Sequence, residues 1–187
     1  MTRLPLLTAA LTLAALAPAA QAQQVLPAQS EISFVSKQMG VPVEGKFKLW
    51  TAQISFDPKK PEAGKIGFTI QTGSASFGSP ETDAEVPKAP WFNAAKFPQA
   101  SFQSSAIKAL GGGKFEVQGS LLIKGASQPV VVPVSVTQAG AASIASGSFV
   151  IKRLDFKIGE GEWADTSMVA NDVQVKFKLA LSGMAPL

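Results

Sequence analysis

Apolar and polar residues alternate with a period of two along most of this chain, and stretches with the 3.6-residue period of an amphipathic helix are almost missing. The clearest run is Val173-Gln174-Val175-Lys176-Phe177-Lys178-Leu179, where every second residue is apolar. That spacing puts one face of a strand in a core and the other in water. The same signature recurs over residues 31–35, 47–56, 65–70, 100–107, 114–124, 128–136 and 143–151, which makes about eight expected strands. Turn residues separate them: Asp57-Pro58, Gly64 and the flexible reversal Gly111-Gly112-Gly113. Pro129 and Pro133 lack an amide proton, so their strand is expected to be near an edge or bulged. No crossover helices are available to build a parallel sheet, and an antiparallel barrel or sandwich follows.

The alternation lapses twice. Around residues 81–98, Pro80, Pro87, Pro90 and Pro98 break the chain and Trp91-Phe92 adds bulky apolar surface, which predicts a short helical excursion packed over one end of the sheet. Residues 159–171 are rich in Gly and acids, contain Trp163 and Met168, and predict a second long loop.

The N-terminus reads differently. Arg3, an apolar run from Leu4 to Leu16 and the small-residue stretch Ala19-Ala20-Gln21-Ala22 match the three regions of a secretory leader, with cleavage expected after Ala22. The run falls short of the ~20 residues of a membrane span. Residues 1–22 are thus expected to be a signal peptide and residues 23–187 one domain. With no Cys, stability is expected from packing and backbone hydrogen bonds, and export without disulfides points to a bacterial periplasm.

Composition narrows the chemistry further. His, Cys and Tyr are all absent, so Ser-His-Asp and Cys-His catalysis cannot be assembled, nor can the usual zinc, copper or haem ligand sets. The acidic group Glu160, Glu162 and Asp165 lacks the spacing of a calcium loop, and acids beside glycines in a loop read most simply as solvated. A net charge of +4 is dispersed, with Arg153 the only arginine after the leader, which is not a nucleic-acid footprint. Weak attraction to a lipid surface is compatible with it.

Several strings carry a resemblance. Ser30-Glu31-Ile32-Ser33-Phe34, Gly45-Lys46-Phe47 leading into Ile54-Ser55-Phe56-Asp57-Pro58, the stretch from Trp91 to Phe102, and the stretch from Leu121 to Val130 stand in the order and spacing of the YceI-like family of periplasmic polyisoprenoid-binding proteins, which this chain resembles over nearly all of residues 23–187. Gly161-Glu162-Trp163-Ala164-Asp165-Thr166-Ser167 looks like a variant family loop. The chain departs from the family at Gln29 and over Lys124-Gly125-Ala126-Ser127-Gln128-Pro129, where the family often carries His, so contacts of those histidines do not carry over.

The resemblance implies an elongated, eight-stranded antiparallel lipocalin-like barrel. Its tunnel would bind a polyprenyl chain, or a quinone bearing one, with no catalytic residue, metal or required cofactor. On that architecture the candidate wall residues are Phe34, Phe47, Phe68, Phe102, Leu121, Val132, Phe149 and Phe177. Trp91, Phe92, Trp163 and Met168 are candidates for the mouth or cap. Lys152 and Arg153 are candidates for a phosphate head group, and Asn93, Ser127 or Trp163 for a quinone head. Gly67, Gly119, Gly147 and Ser148, small residues on strands that also carry large apolar ones, can leave volume unfilled, but for any single glycine tight strand packing or a bulge is the expectation. The implied partners are an isoprenoid lipid and, transiently, a membrane surface or membrane redox protein, with monomer and homodimer both open. The main alternative is an envelope protein of stress response or interaction whose barrel is filled by its own side chains.

Overall fold

The alternating runs form strands, and the strands form one antiparallel sheet. The computed structural model describes residues 22–187; the expected leader lies, but for Ala22, outside them. The strands are β1 (Gln24–Val25), β2 (Glu31–Gln38), β3 (Val41–Phe47), β4 (Trp50–Ser55), β5 (Lys65–Gln71), β6 (Ala75–Ser76), β7 (Gln99–Gly111), β8 (Lys114–Ile123), β9 (Ala126–Ala139), β10 (Ala142–Lys152) and β11 (Asp172–Ser182), with one short helix α1 (Pro80–Glu85). Neighbours run β4-β5-β7-β8-β9-β10-β11-β2-β3-β6, and β1 pairs with β11.

The expected count of eight becomes eleven. Each of the eight expected runs contains a strand, and β1, β3 and β6 are additional. β3 carries Pro42 and Gly45, which weaken a strand signal, yet it is held by pairing with β2 from Ser33↔Lys46 to Gln38↔Val41. β6 is two residues long, too short to show a period. The path from β4 to β6 curls back on itself, because only Lys48 and Leu49 separate β4 from β3 and only a single 3-10 turn separates β6 from β5. Backbone bonds Lys48 N–H to Ser74 O and Gln71 N–H to Leu49 O bridge the junction. The result is a strongly curled barrel rather than a sandwich.

β9 explains its prolines. It pairs with β8 from Ser135 back to Ala126, but with β10 only from Ser135 to Ala139. Pro129 and Pro133 therefore lie where no ladder to β10 forms and no amide proton is missed. Across that gap Val131 and Val150 face outward at 53% and 59% exposure.

Inward residues alternate as the strands dictate. On β8, Phe115, Val117, Gly119, Leu121 and Ile123 are buried while Lys114, Gln118, Ser120 and Leu122 face out. The buried residues make two apolar clusters, one around Phe34, Phe92, Leu121 and Phe156, the other around Phe56, Phe115, Val132 and Leu179. The excursion after α1 and the loop 159–171 cover the barrel at the same end, the Gly159 and Glu160 amides donating to Pro90 O at 2.8 and 2.9 Å. No helix among the described residues is long and apolar enough to cross a membrane.

Candidate functional site

The two apolar clusters do not fill the barrel. A single elongated cavity of about 530 Å³ is lined by residues from both, from Phe34, Trp91 and Ile151 at one end to Phe56, Phe115 and Leu181 at the other. On β11 the alternate residues Val173, Val175, Phe177, Leu179 and Leu181 all face it. At about 3.4 Å per residue and a barrel tilt of roughly 40°, that series spans on the order of 20 Å along the axis.

All eight candidate wall residues, Phe34, Phe47, Phe68, Phe102, Leu121, Val132, Phe149 and Phe177, lie on this cavity, as do the mouth candidates Trp91, Phe92, Trp163 and Met168. The aromatic rings interlock near the capped end: Phe34 with Phe47 and Phe77 at 5.2 Å, Phe47 with Phe92 at 6.0 Å, and Trp91 with Trp163 at 5.4 Å.

The small residues on the wall serve tight packing and do not leave volume empty. Gly45, Gly119 and Gly147 are covered by lumen phenylalanines of neighbouring strands: an added Cβ would stand 2.4 Å from the Phe34 ring, 2.5 Å from Phe102 and 2.6 Å from Phe177. Each glycine lets a ring lie flat on the wall. Gly67 and Ser148 face outward, where Gly67 lies under the Gln103 side chain and Ser148 accepts from Gln174. Neither borders the lumen.

The head-group candidates are corrected by their partners. Lys152 lies outside the cavity and pairs with Asp172 on the surface, Nζ to Oδ1 at 3.1 Å. Arg153 does border the cavity but is 2% exposed, and its five N–H groups are all committed. Nε donates to Ala170 O, Nη1 to Ile158 O and Gly159 O, and Nη2 to Trp163 O and Val169 O, at 2.7 to 3.1 Å. Burial pulls its pKa below the ordinary value, although arginine stays charged in proteins. The guanidinium is a staple for the cap loop. Gly159 matches it: its φ is +77°, and an added Cβ would sit 2.3 Å from Nη1. Ser127 faces out, bonded to Ser120, and Asn93 closes a turn away from the cavity wall.

Lys124 was not nominated from the sequence and does equivalent work. It occupies the first position of the β8–β9 hairpin with φ 49°, where Asn is the usual choice before Gly. Its side chain turns inward, 6% exposed overall, and Nζ donates to Ala89 O, Lys157 O and Glu160 Oε2 at 2.7 to 2.9 Å. A lysine in place of Asn at such a turn is the one sequence signal that could have flagged it. Of the other polar wall residues at the capped end, Ser36 and Gln38 continue the inward parity of Ile32 and Phe34 on β2, whereas Glu81, Thr82 and Glu85 lie in the excursion, where no alternation runs.

The acidic loop is structural in the same way. Glu160 is held below the usual carboxylate range chiefly by its hydrogen bond from Lys124, and Asp165 by its bonds from the Ser167 hydroxyl and amide. Asp83 is lowered too, by the Ser76 hydroxyl and the Phe77 amide at 2.6 Å each. These depressed carboxylates stabilise the fold fully above their unfolded-state pKa, and the contribution is lost as pH falls through the lower folded values. The thermal midpoint should therefore drop on acidification below the usual carboxylate range, and Glu160→Gln should flatten that drop in a melting series. An unchanged profile would remove Glu160 from the account. Among the described residues no cluster of acids could hold a metal ion, and no buried side-chain nitrogen or oxygen lacks a partner.

A model of the YceI-like domain matches residues 24–181. A UPF0312 protein of Pseudomonas savastanoi pv. phaseolicola is 34% identical over 98 residues, 52% of this chain and 51% of that protein, so the chain spans about half the length of the curated relatives it matches. Among solved structures, Burkholderia cenocepacia BcnA is 47% identical with a TM-score of 0.81, covering 84% of this chain and 99% of that one. A polyisoprenoid binding domain from Saccharophagus degradans, implicated in plant cell wall breakdown, has a TM-score of 0.69 over 88% of this chain and 98% of that one. At 18% identity, that likeness speaks to the fold alone.

Proposed function

The chain belongs to the YceI-like family, and on that premise we propose that it binds a long-chain isoprenoid lipid, a polyprenyl phosphate or a prenylated quinone, in the barrel lumen, as a non-catalytic carrier or store in the periplasm. The observation that carries this reading is the apolar cavity of about 530 Å³ running through both core clusters. Its wall is almost wholly hydrocarbon, which suits a ligand that offers little but CH groups and gains affinity from apolar area removed from water, at about 25 cal/mol per Å² less the cost of ordering the chain. The Saccharophagus degradans neighbour, described as polyisoprenoid binding, has the same fold. Glu160 and Asp165, the strongest acid–base candidates, are tied into the cap, which favours binding over catalysis. Loading and unloading at a membrane surface, or with a membrane redox protein, belong to the same reading, as does export by the N-terminal leader.

Native mass spectrometry of gently purified protein, followed by lipid extraction, tests it. A co-purifying prenyl lipid is expected; a protein that stays at its bare mass and takes up no added prenyl lipid would sink the reading in favour of the envelope interaction protein. Phe102→Ala and Phe149→Ala should each weaken binding of a fluorescent prenyl analogue by roughly tenfold, a loss of about 1.4 kcal/mol, while circular dichroism shows a folded barrel. Undiminished binding in folded variants would take those two rings out of the site.

A further inference from the structure

Among the described residues, sulfur occurs only at the two ends of the lumen. The chain has no Cys, and of its four methionines Met1 lies outside the described residues while Met39, Met168 and Met184 all line the cavity. Met39 and Met168 stand together at the capped end. Met39 lies in the two-residue turn between β2 and β3, and its N–H donates to the Met168 carbonyl of the cap loop at 2.8 Å. Met184 follows β11 at the opposite end, half-buried against the cluster of Phe56, Phe115 and Leu179. The two side chains of the mouth are open to water as well as to the lumen, Met39 being 72% and Met168 47% exposed. Backbone conformation singles out Met39 further. Its φ is 48° and that of Gly40 is 81°, the left-handed pair in which Asn, Asp or Gly is the ordinary first residue. At Lys124-Gly125, a turn of the same kind, the unusual first residue is one whose side chain fastens the cap. A long thioether held at the lip against backbone preference is accounted for in the same way, by what its side chain does at the opening.

Resting on the carrier reading above, we propose that Met39 and Met168 are an oxidation site, and that their conversion to methionine sulfoxide by a hydroperoxide loosens the hold of the mouth on a prenyl tail. The thioether sulfur attacks one oxygen of hydrogen peroxide. The S–O bond forms as the O–O bond breaks, and the departing hydroxide takes the proton from the transferred oxygen and leaves as water. Sulfur gives up two electrons and the peroxide gains them. A flexible apolar side chain thereby becomes a polar one. Because both residues meet solvent and cavity at once, the oxidant need not enter the lumen, and the change falls where the tail passes. The chain has no thiol to react first, so these exposed thioethers are its most readily oxidised groups. Methionine sulfoxide reductases restore the thioether, which makes the step reversible.

The full chain is treated with hydrogen peroxide under native conditions, and sulfoxide formation at each methionine is followed by peptide mass mapping. Met39 and Met168 are expected to oxidise several-fold faster than Met184. The fluorescent prenyl analogue should then bind roughly tenfold more weakly, taking each sulfoxide to forfeit about one buried methylene of contact with the tail. Circular dichroism should stay unchanged, and methionine sulfoxide reductases A and B together should restore the affinity. Met39→Leu/Met168→Leu keeps the lip apolar without sulfur; from whatever affinity it starts, peroxide should not lower it. Binding unmoved after both thioethers are converted overturns this inference and leaves the carrier reading standing. A loss of equal size in the double variant, or one that accompanies unfolding, also overturns it, as does oxidation of Met184 as fast as that of the other two. A protein that binds no prenyl analogue before treatment brings down the carrier reading and this inference with it.

Discussion

Replacing Arg153 by methionine should lower the free energy of unfolding by about 3–5 kcal/mol, since buried carbonyls losing this donor cost about 1–3 kcal/mol each and the apolar replacement offsets only part of that. Methionine keeps most of the volume but leaves the carbonyls of Ile158, Gly159, Trp163, Val169 and Ala170 without their donor. A buried carbonyl stripped of its partner carries its desolvation penalty in full. Arg153→Lys should recover less than half of the loss, because an ammonium has three donors in a tetrahedral array and cannot reach five carbonyls arranged around a planar fork. Urea unfolding gives the stability, and limited proteolysis of residues 159–171 shows whether the cap has come loose. The functional consequence follows from position: the same loop carries Trp163 and Met168 onto the cavity mouth, so a folded Arg153→Met protein should release ligand faster. A stability change under about 1 kcal/mol would mean that the carbonyls find other partners and that the staple is dispensable.

Gly147→Val should be the most damaging change on the barrel wall, at about 3 kcal/mol, although valine is a better strand residue than glycine. The new Cβ would stand 2.2 Å from the backbone oxygen of Pro133 and 2.6 Å from the Phe177 ring. The ring could swing into the lumen, but the carbonyl belongs to β9, where the ladder to β10 is already absent, so the two strands would be pushed further apart. Gly119→Val meets the Gln103 carbonyl at 2.5 Å and should behave alike. Gly67→Ala supplies the contrast: its Cβ meets only the far end of the Gln103 side chain on the outer face at 3.0 Å, and stability should stay within about 0.5 kcal/mol. Thermal melts of the three variants decide it, and a Gly147→Val protein as stable as Gly67→Ala would show that the wall is softer than its contacts indicate.

The difference between Gly67 and Gly147 shows how far reading along the chain can go. Gly67 directly precedes Phe68 and Gly147 stands two residues before Phe149, and tight packing is the expectation for each. Period-two alternation places Gly67 outside and Gly147 inside once the strand's inward set is known, so that distinction was available locally. The carbonyl of Pro133 behind Gly147 was not, because it arrives from another strand whose pairing stops one residue pair short.

Arg153 and Lys124 mark the same boundary. As sequence they are basic residues after a strand and in a turn, positions where a cation is ordinarily solvated. The burial of each depends on oxygen atoms, backbone carbonyls and the Glu160 carboxylate, brought from segments up to 36 residues away. No local pattern encodes that convergence, and it turns a nominated phosphate partner into a fastening of the cap.

Nearest-neighbour chemistry along the chain is enough for an all-β reading, the runs that become β2, β4, β5 and β7 to β11, the faces that turn inward, the two interruptions, and the chemistry excluded by the lack of His, Cys and Tyr. Alternation commits each side chain to one face of a strand whatever the strand later pairs with. Tertiary structure alone decided the continuation of the sheet through β3 and β6, the rings laid over glycines, the two buried cations and the open lumen. Whether inward side chains meet across a barrel or leave a channel between them is set by the distance between opposite walls, and that distance is a property of closure, not of any stretch of chain.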